Sequence, residues 1–210
     1  MNVNVIRTNN DGVGTAGCTY DDGNNIATGL AHKGHVVKLL DPAKGFNESI
    51  SSTERVAIAT QPEKHNGLLQ DFAARHPGIG WRPSWGNIHL LEDILDEGNI
   101  FVVHVCIEKA YRVTGSMSLS DSAREINAYR PDTLIVVTDP SGAAACHYDR
   151  VVKVLSHRIR NPNNTDGLGA AFFGAFLGEL LNTRRLVESL EAGHRAAAVA
   201  TQGIAIKAVQ

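Results

Sequence analysis

Two short runs constrain this chain more than anything else in it. "NIFVVHV" (99–105) and "TLIVVTD" (133–139) are apolar at nearly every position rather than at every second one. A strand with one wet face alternates polar and apolar residues. A strand apolar on both faces needs cover on both, which parallel sheets between helix layers provide. The flanking segments fit that demand. "DDGNNIATGLAHKG" begins with cap residues, ends at Gly34, and places Ile26, Ala27 and Leu30 on one helical face. "HNGLLQDFAARHPG", "IHLLEDILDEG", "IEKAYRVTG" and "LSDSAREINAYRP" read as further helices. "NVNVI", "HVVKLLD", "RVAIATQ" and "IGWRPSW" read as strands between them, the last carrying an awkward proline. "AAACHYD" and "RVVKVLSH" form a hairpin through Tyr148-Asp149, and "IAIKAVQ" reads as a closing strand. This alternation predicts a three-layer α/β/α sandwich with a mostly parallel sheet, in one domain spanning 1–210. Ligands of such sheets bind outside the carboxyl ends of the strands.

Composition excludes several classes. The formal charge is −2 and the basic residues are scattered, so neither a nucleic-acid stripe nor a membrane-surface patch is expected. No apolar run is long enough to span a bilayer, and "MNVNVIRTNNDG" lacks the features of a secretory signal. Three separated cysteines, Cys18, Cys106 and Cys146, fit reduced thiols in a cytoplasmic protein. Nine histidines show no HxxxH or HExxH spacing, so no metal site is expected from them.

The chemistry points to "NTDGLGAAFFGAF" (164–176), a glycine turn opening into an apolar helix. Gly167 and Gly169 can take positive φ and bring backbone N–H groups close to a ligand. The helix behind them adds its positive dipole end, and together these make an anion nest without a charged side chain. Helix packing through Gly174, Ala170 and Ala171 explains the small residues equally well.

The order "TLIVVTD…GAAACHYDRVVKV…NTDGLGAAFFGAFLGELL…AGHRAAAVATQG" resembles the C-terminal half of the ribokinase/PfkB family of sugar and nucleoside kinases. Gly167, Leu168, Gly169 and Ala170 align with that family's Gly-Ala-Gly-Asp turn. Thr138 and Gly142 match its strand-end nucleotide loop, here shortened. Asn25 matches the asparagine of its substrate motif, and "IEKAYRVTG" follows the place of its metal-organising Asn-x-x-Glu. The resemblance implies a ribokinase-like fold and ATP or ADP at Thr138, Gly142, Asp166, Gly167 and Gly169. It also implies a small-molecule substrate at Asn25.

The chain departs from the family where transfer chemistry lies. The family's aspartate takes the hydroxyl proton while Mg²⁺ bridges phosphate oxygens. Ala170 stands at the aspartate's position, and a methyl group accepts no proton. The Asn-x-x-Glu position reads Cys106-Ile107-Glu108-Lys109: a cysteine for the asparagine, and a lysine for the glutamate unless the register slips by one to Glu108, which suits Mg²⁺ poorly. Tyr20 and Asp21 fill the substrate motif's glycines unless Gly23 shifts the turn, and the region between "VNVI" and "GNNIATG" is too brief for the usual lid. "WRPSWGN" replaces a strand end that usually offers acidic or amide groups. The favoured reading is an inactive homologue that keeps a nucleotide or phosphate nest or serves in protein interaction, as a homo-oligomer or with another protein. Two alternatives stay open: an active kinase with Asp166 as displaced base, and a structural subunit reusing the fold. Asp166 is equally an N-cap. Trp81 and Trp85 either stack on a ligand or fill core and partner surface.

Overall fold

The computed structural model describes residues 1–6, 22–40, 55–59, 72, 78–83, 85, 88–97, 100–156 and 167–201. In chain order these form β1 (Asn2–Ile6), α1 (Asp22–His32), β2 (Val36–Leu40), β3 (Arg55–Ala59), β4 (Ile79–Arg82) and a 3₁₀ turn (Ile88–Leu90). There follow α2 (Leu91–Glu97), β5 (Ile100–Cys106), α3 (Ile107–Thr114), α4 (Leu119–Tyr129), β6 (Leu134–Asp139), β7 (Gly142–His147) and β8 (Arg150–Leu155). The last two described elements are α5 (Leu168–Thr183) and α6 (Leu186–Thr201). The expected helix at 65–78 and the closing strand at 204–210 lie outside the described residues, apart from Phe72 and Gly78.

One eight-stranded sheet runs β2-β1-β3-β4-β5-β6-β7-β8. β1 to β6 are mutually parallel, and β7 and β8 add antiparallel at one edge. The continuous apolar runs became interior strands for the expected reason. In β5, Val103 and Val105 face one core and Val102 the other; in β6, Ile135 and Val137 oppose Leu134 and Val136. The first core meets Ile94, Leu95, Ile107, Ala110, Ala123 and Ile126 of α2, α3 and α4. The second meets Ile26 and Leu30 of α1, Phe173 and Phe176 of α5, and Leu190 of α6. The result is the predicted three-layer sandwich.

Local signals set the ends. β4 stops at Arg82 because Pro83 has no N–H for the ladder. Ser118 caps α4 by accepting from the Asp121 N–H at 3.3 Å. The β7–β8 turn puts Tyr148 and Asp149 at φ 48° and 60°, the conformation a two-residue hairpin demands. Asp149 is held there by its N–H to Asn127 Oδ1 (3.1 Å) and its carboxylate to Arg124 Nε (2.9 Å).

α5 is apolar on every side because it is enclosed on every side: by the sheet, α1 and α6. It meets α1 backbone to backbone. A Cβ on Gly174 would stand 2.5 Å from the Ile26 carbonyl oxygen, and one on Gly29 2.6 Å from the Ala175 nitrogen. Along the seam Lys33 Nζ pairs with Glu179 at 2.6 Å, and Asn182 Nδ2 donates to the Lys33 carbonyl at 2.8 Å.

Candidate anion site at the start of helix α5

Crossovers put the carboxyl ends of β4, β5 and β6 side by side, at Arg82, Cys106 and Thr138. α5 begins against this rim. Gly167 caps it at φ 73°, ψ −3°, so the glycine turn has one residue in the left-handed region. Gly169 was expected to share that conformation but lies inside the helix and is absent from the positive-φ positions. Its lack of a side chain serves a different end. A Cβ there would stand 2.7 Å from Arg82 Nη2, so the guanidinium rests on the first turn of α5.

Lys109, in the first turn of α3, is 7% exposed and donates from Nζ to the Pro83 carbonyl at 2.9 Å. The residue next to Arg82 therefore holds a second cation at the same strand end. Trp85 lies under Arg112 (4.6 Å) and Lys109 (5.6 Å) and is 44% exposed. It is a surface ring stacked on cations, whereas Trp81 is buried in the core.

Beneath the rim sits His104, fully buried and stacked on Phe172 and Phe173 at 5.1 and 5.5 Å. Its Nε2 lies 3.0 Å from Thr138 Oγ1, and its Nδ1 is buried without a hydrogen-bond partner among the described residues. Burial above all, and then the charges of Arg82, Lys109 and His194, hold its pKa well below the ordinary imidazole value. Folded His104 thus refuses the proton that the unfolded imidazole takes up near 6.5. The unfolded chain binds more protons there, so this contribution is complete above 6.5 and is lost as pH falls below it. Urea titrations across pH should show the wild type losing up to about 1.4 kcal/mol per pH unit more than His104→Gln. Parallel pH profiles for the two proteins would refute the assignment.

The other predicted residues fall as follows. Ala170, which the resemblance aligns with the family's aspartate, has no exposed surface and lies in the core that also holds Val102, Val136 and Phe173. Thr138 is at the rim, with its hydroxyl engaged by His104. Gly142 opens β7, where a Cβ would collide with the Val154 carbonyl oxygen; the hairpin itself requires glycine there. The shortened loop between them is closed by Asp139, whose Oδ1 accepts from Ser141 N, Ser141 Oγ and Gly142 N. Asn25 is half-buried in α1, one residue before Ile26, whose carbonyl abuts Gly174. Asp166 and Asp21 lie outside the described residues. Sequence reasoning did not single out Arg82 and His104, which the fold brings to this rim. The signals were there: a cation closing a parallel strand just before proline, and one polar residue inside the apolar run of β5.

A magnesium ion, which the family resemblance implies, finds poor partners here. At the place of the family's Asn-x-x-Glu stand the Cys106 thiol and the Lys109 ammonium, with the Glu108 carboxylate beside Cys106 as an oxygen donor. Burial raises the Cys106 pKa further, which keeps the thiol protonated. Among the described residues no three His, Cys, Asp or Glu side chains converge as a metal site.

A parallel sheet between helix layers, with a glycine-capped buried helix opening at the strands' carboxyl ends, defines a ribokinase-like α/β fold. Residues 87–206, over half of the chain, match the model of the pfkB family carbohydrate kinases. The protein belongs to that family. No curated protein matches the chain by sequence. Among solved structures it is similar to a probable sugar kinase protein from Rhizobium etli CFN 42, with TM-score 0.73 and 14% identity over 100% of this chain and 95% of that one. The adenosine kinase from Sinorhizobium meliloti gives TM-score 0.70 and 14% identity over 99% and 87%. The fructokinase from Vibrio cholerae O395, in its fructose, ADP and calcium ion bound form, gives 0.64 and 15% over 95% and 92%. At such identities the likeness establishes the fold.

Proposed function

We propose that the protein is a pfkB-family homologue that binds a phosphate-bearing ligand, a nucleotide or a sugar phosphate, at the start of α5 without transferring the phosphoryl group. The observation that carries this reading is the first turn of α5. It keeps the left-handed Gly167 cap and a Gly169 whose missing side chain leaves room for the Arg82 guanidinium, while the position aligned with the family's base is the core methyl of Ala170. Binding needs only the former; transfer needs a proton acceptor as well. The fructokinase with ADP bound supports a nucleotide as one ligand. The reading treats the chain as one domain with a reduced lid. Among the described residues no helix is long and apolar enough to cross a membrane, and a cytoplasmic setting is part of the proposal.

The test is calorimetric titration with inorganic phosphate, ADP and ATP, on the wild type and on Gly169→Val. Valine fits the backbone of a helix's first turn at a cost of well under about 1 kcal/mol. Its side chain would displace the Arg82 guanidinium from the first turn of α5 and cover the backbone N–H groups there. The wild type should bind at millimolar ligand or below, and the variant should not, with circular dichroism and thermal unfolding showing it folded. A wild type that binds none of the three ligands would leave the turn as a packing device and favour the scaffold alternative.

A further inference from the structure

The last strand of the sheet, β8, pairs with β7 on one side, and its other edge is open among the described residues. Ser156 donates its N–H to the Ser141 carbonyl at 2.8 Å, which fixes the phase of the ladder. In an antiparallel pair, alternate residues turn their N–H and C=O groups toward the partner strand. Counting back from Ser156, positions 154, 152 and 150 bond inward to β7. Val151, Lys153 and Leu155 therefore aim their N–H and C=O groups out of the sheet, and no hydrogen bond engages those groups among the described residues. Their side chains share the face covered by α2, α3 and α4. Val151 is half-buried against that core, Lys153 is exposed, and Leu155 is 77% exposed. Where the edge ends, an open depression of about 450 Å³ is lined by Pro140, Ser141, Leu155 and Ser156.

We infer that the β8 edge binds an extended acidic segment of another protein, added to the sheet as one further strand. Main-chain bonds to Val151, Lys153 and Leu155 supply the affinity, and the side chains opposite them supply the specificity. A carboxylate is the complement of Lys153, which forms no ion pair among the described residues. The neighbouring Asp149 carboxylate is already taken by Arg124 at 2.9 Å. Apolar side chains are the complement of Val151 and of Leu155 beside the depression. The pattern is apolar-x-acid-x-apolar, and it reads the same in either strand direction. A second copy fits worse. Two β8 edges paired about their middle set Lys153 against Lys153, and like charges directly opposite destabilise a sheet.

A blocked, fluorescent peptide Thr-Val-Thr-Glu-Thr-Val-Thr and a twin with lysine in place of its glutamate, each titrated with the full chain, test this by anisotropy. The wild type should bind the glutamate peptide at submillimolar concentration and its twin about fivefold or more weakly. Lys153→Glu, at an exposed position, should reverse that preference. Amide exchange at Val151, Lys153 and Leu155 should be fast in the free protein and slowed by the glutamate peptide. Equal binding of the two peptides by the wild type, or binding of neither, would overturn the inference. So would slow exchange at these amides in the free protein, since the chain itself or a second copy would then cover the edge. None of these outcomes touches the phosphate reading of α5.

Discussion

Mixed with ATP, Mg²⁺ and a panel of sugars and nucleosides, the purified protein will show no turnover near the roughly 1–100 s⁻¹ of working kinases. Loss of a general base alone costs about 10²–10⁴ in rate. Here the loss goes beyond one atom group. Ala170 has no exposed surface and belongs to the core that holds Val102, Val136 and Phe173, so a side chain longer than a methyl has no open place there among the described residues. Restoring the family residue by Ala170→Asp should therefore fail to restore activity. It should instead destabilise the protein, because an ionisable carboxyl would be pushed among apolar side chains. Coupled-enzyme measurement of ADP release, with substrate phosphorylation followed by mass spectrometry, checks both statements. Turnover in the kinase range that disappears in Asp166→Asn would identify Asp166 as a displaced base and end the inactive reading.

Gly174→Leu should cost the fold at least about 3 kcal/mol, the upper end for an overpacked core and beyond. A typical domain has only about 5–15 kcal/mol of net stability, so much of the variant should be unfolded or insoluble. The cost is high because the obstacle is main chain. A side chain on Gly174 meets the Ile26 carbonyl oxygen at 2.5 Å and the Ile26 Cα at 2.7 Å, and neither can rotate away. Separating the helices to make room would also break the Lys33–Glu179 pair and the Asn182 bond to the Lys33 carbonyl. Gly34→Ala is the control. Its φ is 80°, but nothing lies within 4 Å of its Cβ position, so only backbone strain of about 1–2 kcal/mol is expected. Urea midpoints measure the difference. A Gly174→Leu protein with the wild-type midpoint would show that the two helices do not meet there.

How far the sequence could be read depended on the range of the interaction. β5 and β6 were legible because an apolar run reports its own two-sided burial. The hairpin turn at Tyr148-Asp149 was legible because a two-residue connection leaves few conformations. The helix opening at Gly167 was legible for the same local reason. Gly169 was misjudged: its neighbours in sequence suggest a left-handed turn, while its real constraint is Arg82, which only the folded sheet brings near. Gly142 shows the same effect, since the Val154 carbonyl that excludes a Cβ belongs to the partner strand. Thr138 could be placed at a strand end by pattern, but its hydroxyl's engagement with His104 depends on β5 and β6 being neighbours in register. Gly174 was readable as a residue for close packing; that α1 is its partner was not.

The seam between α1 and α5 joins segments 146 positions apart, as the Lys33–Glu179 contact shows. On a ribosome, α1 is made long before the helix that will cover it. Until residues 168–183 emerge, Ile26 and Leu30 lack a principal part of their final cover, and β1 and β2 lack a layer above them. Contacts this distant slow folding, because a long loop must close before they contribute. The N-terminal elements therefore wait, sticky and incomplete, for most of synthesis, which is the interval in which a chain most needs a chaperone. The start of α5 is assembled at the close of that wait. Anion binding at the site proposed there would thus report that the whole sandwich has formed.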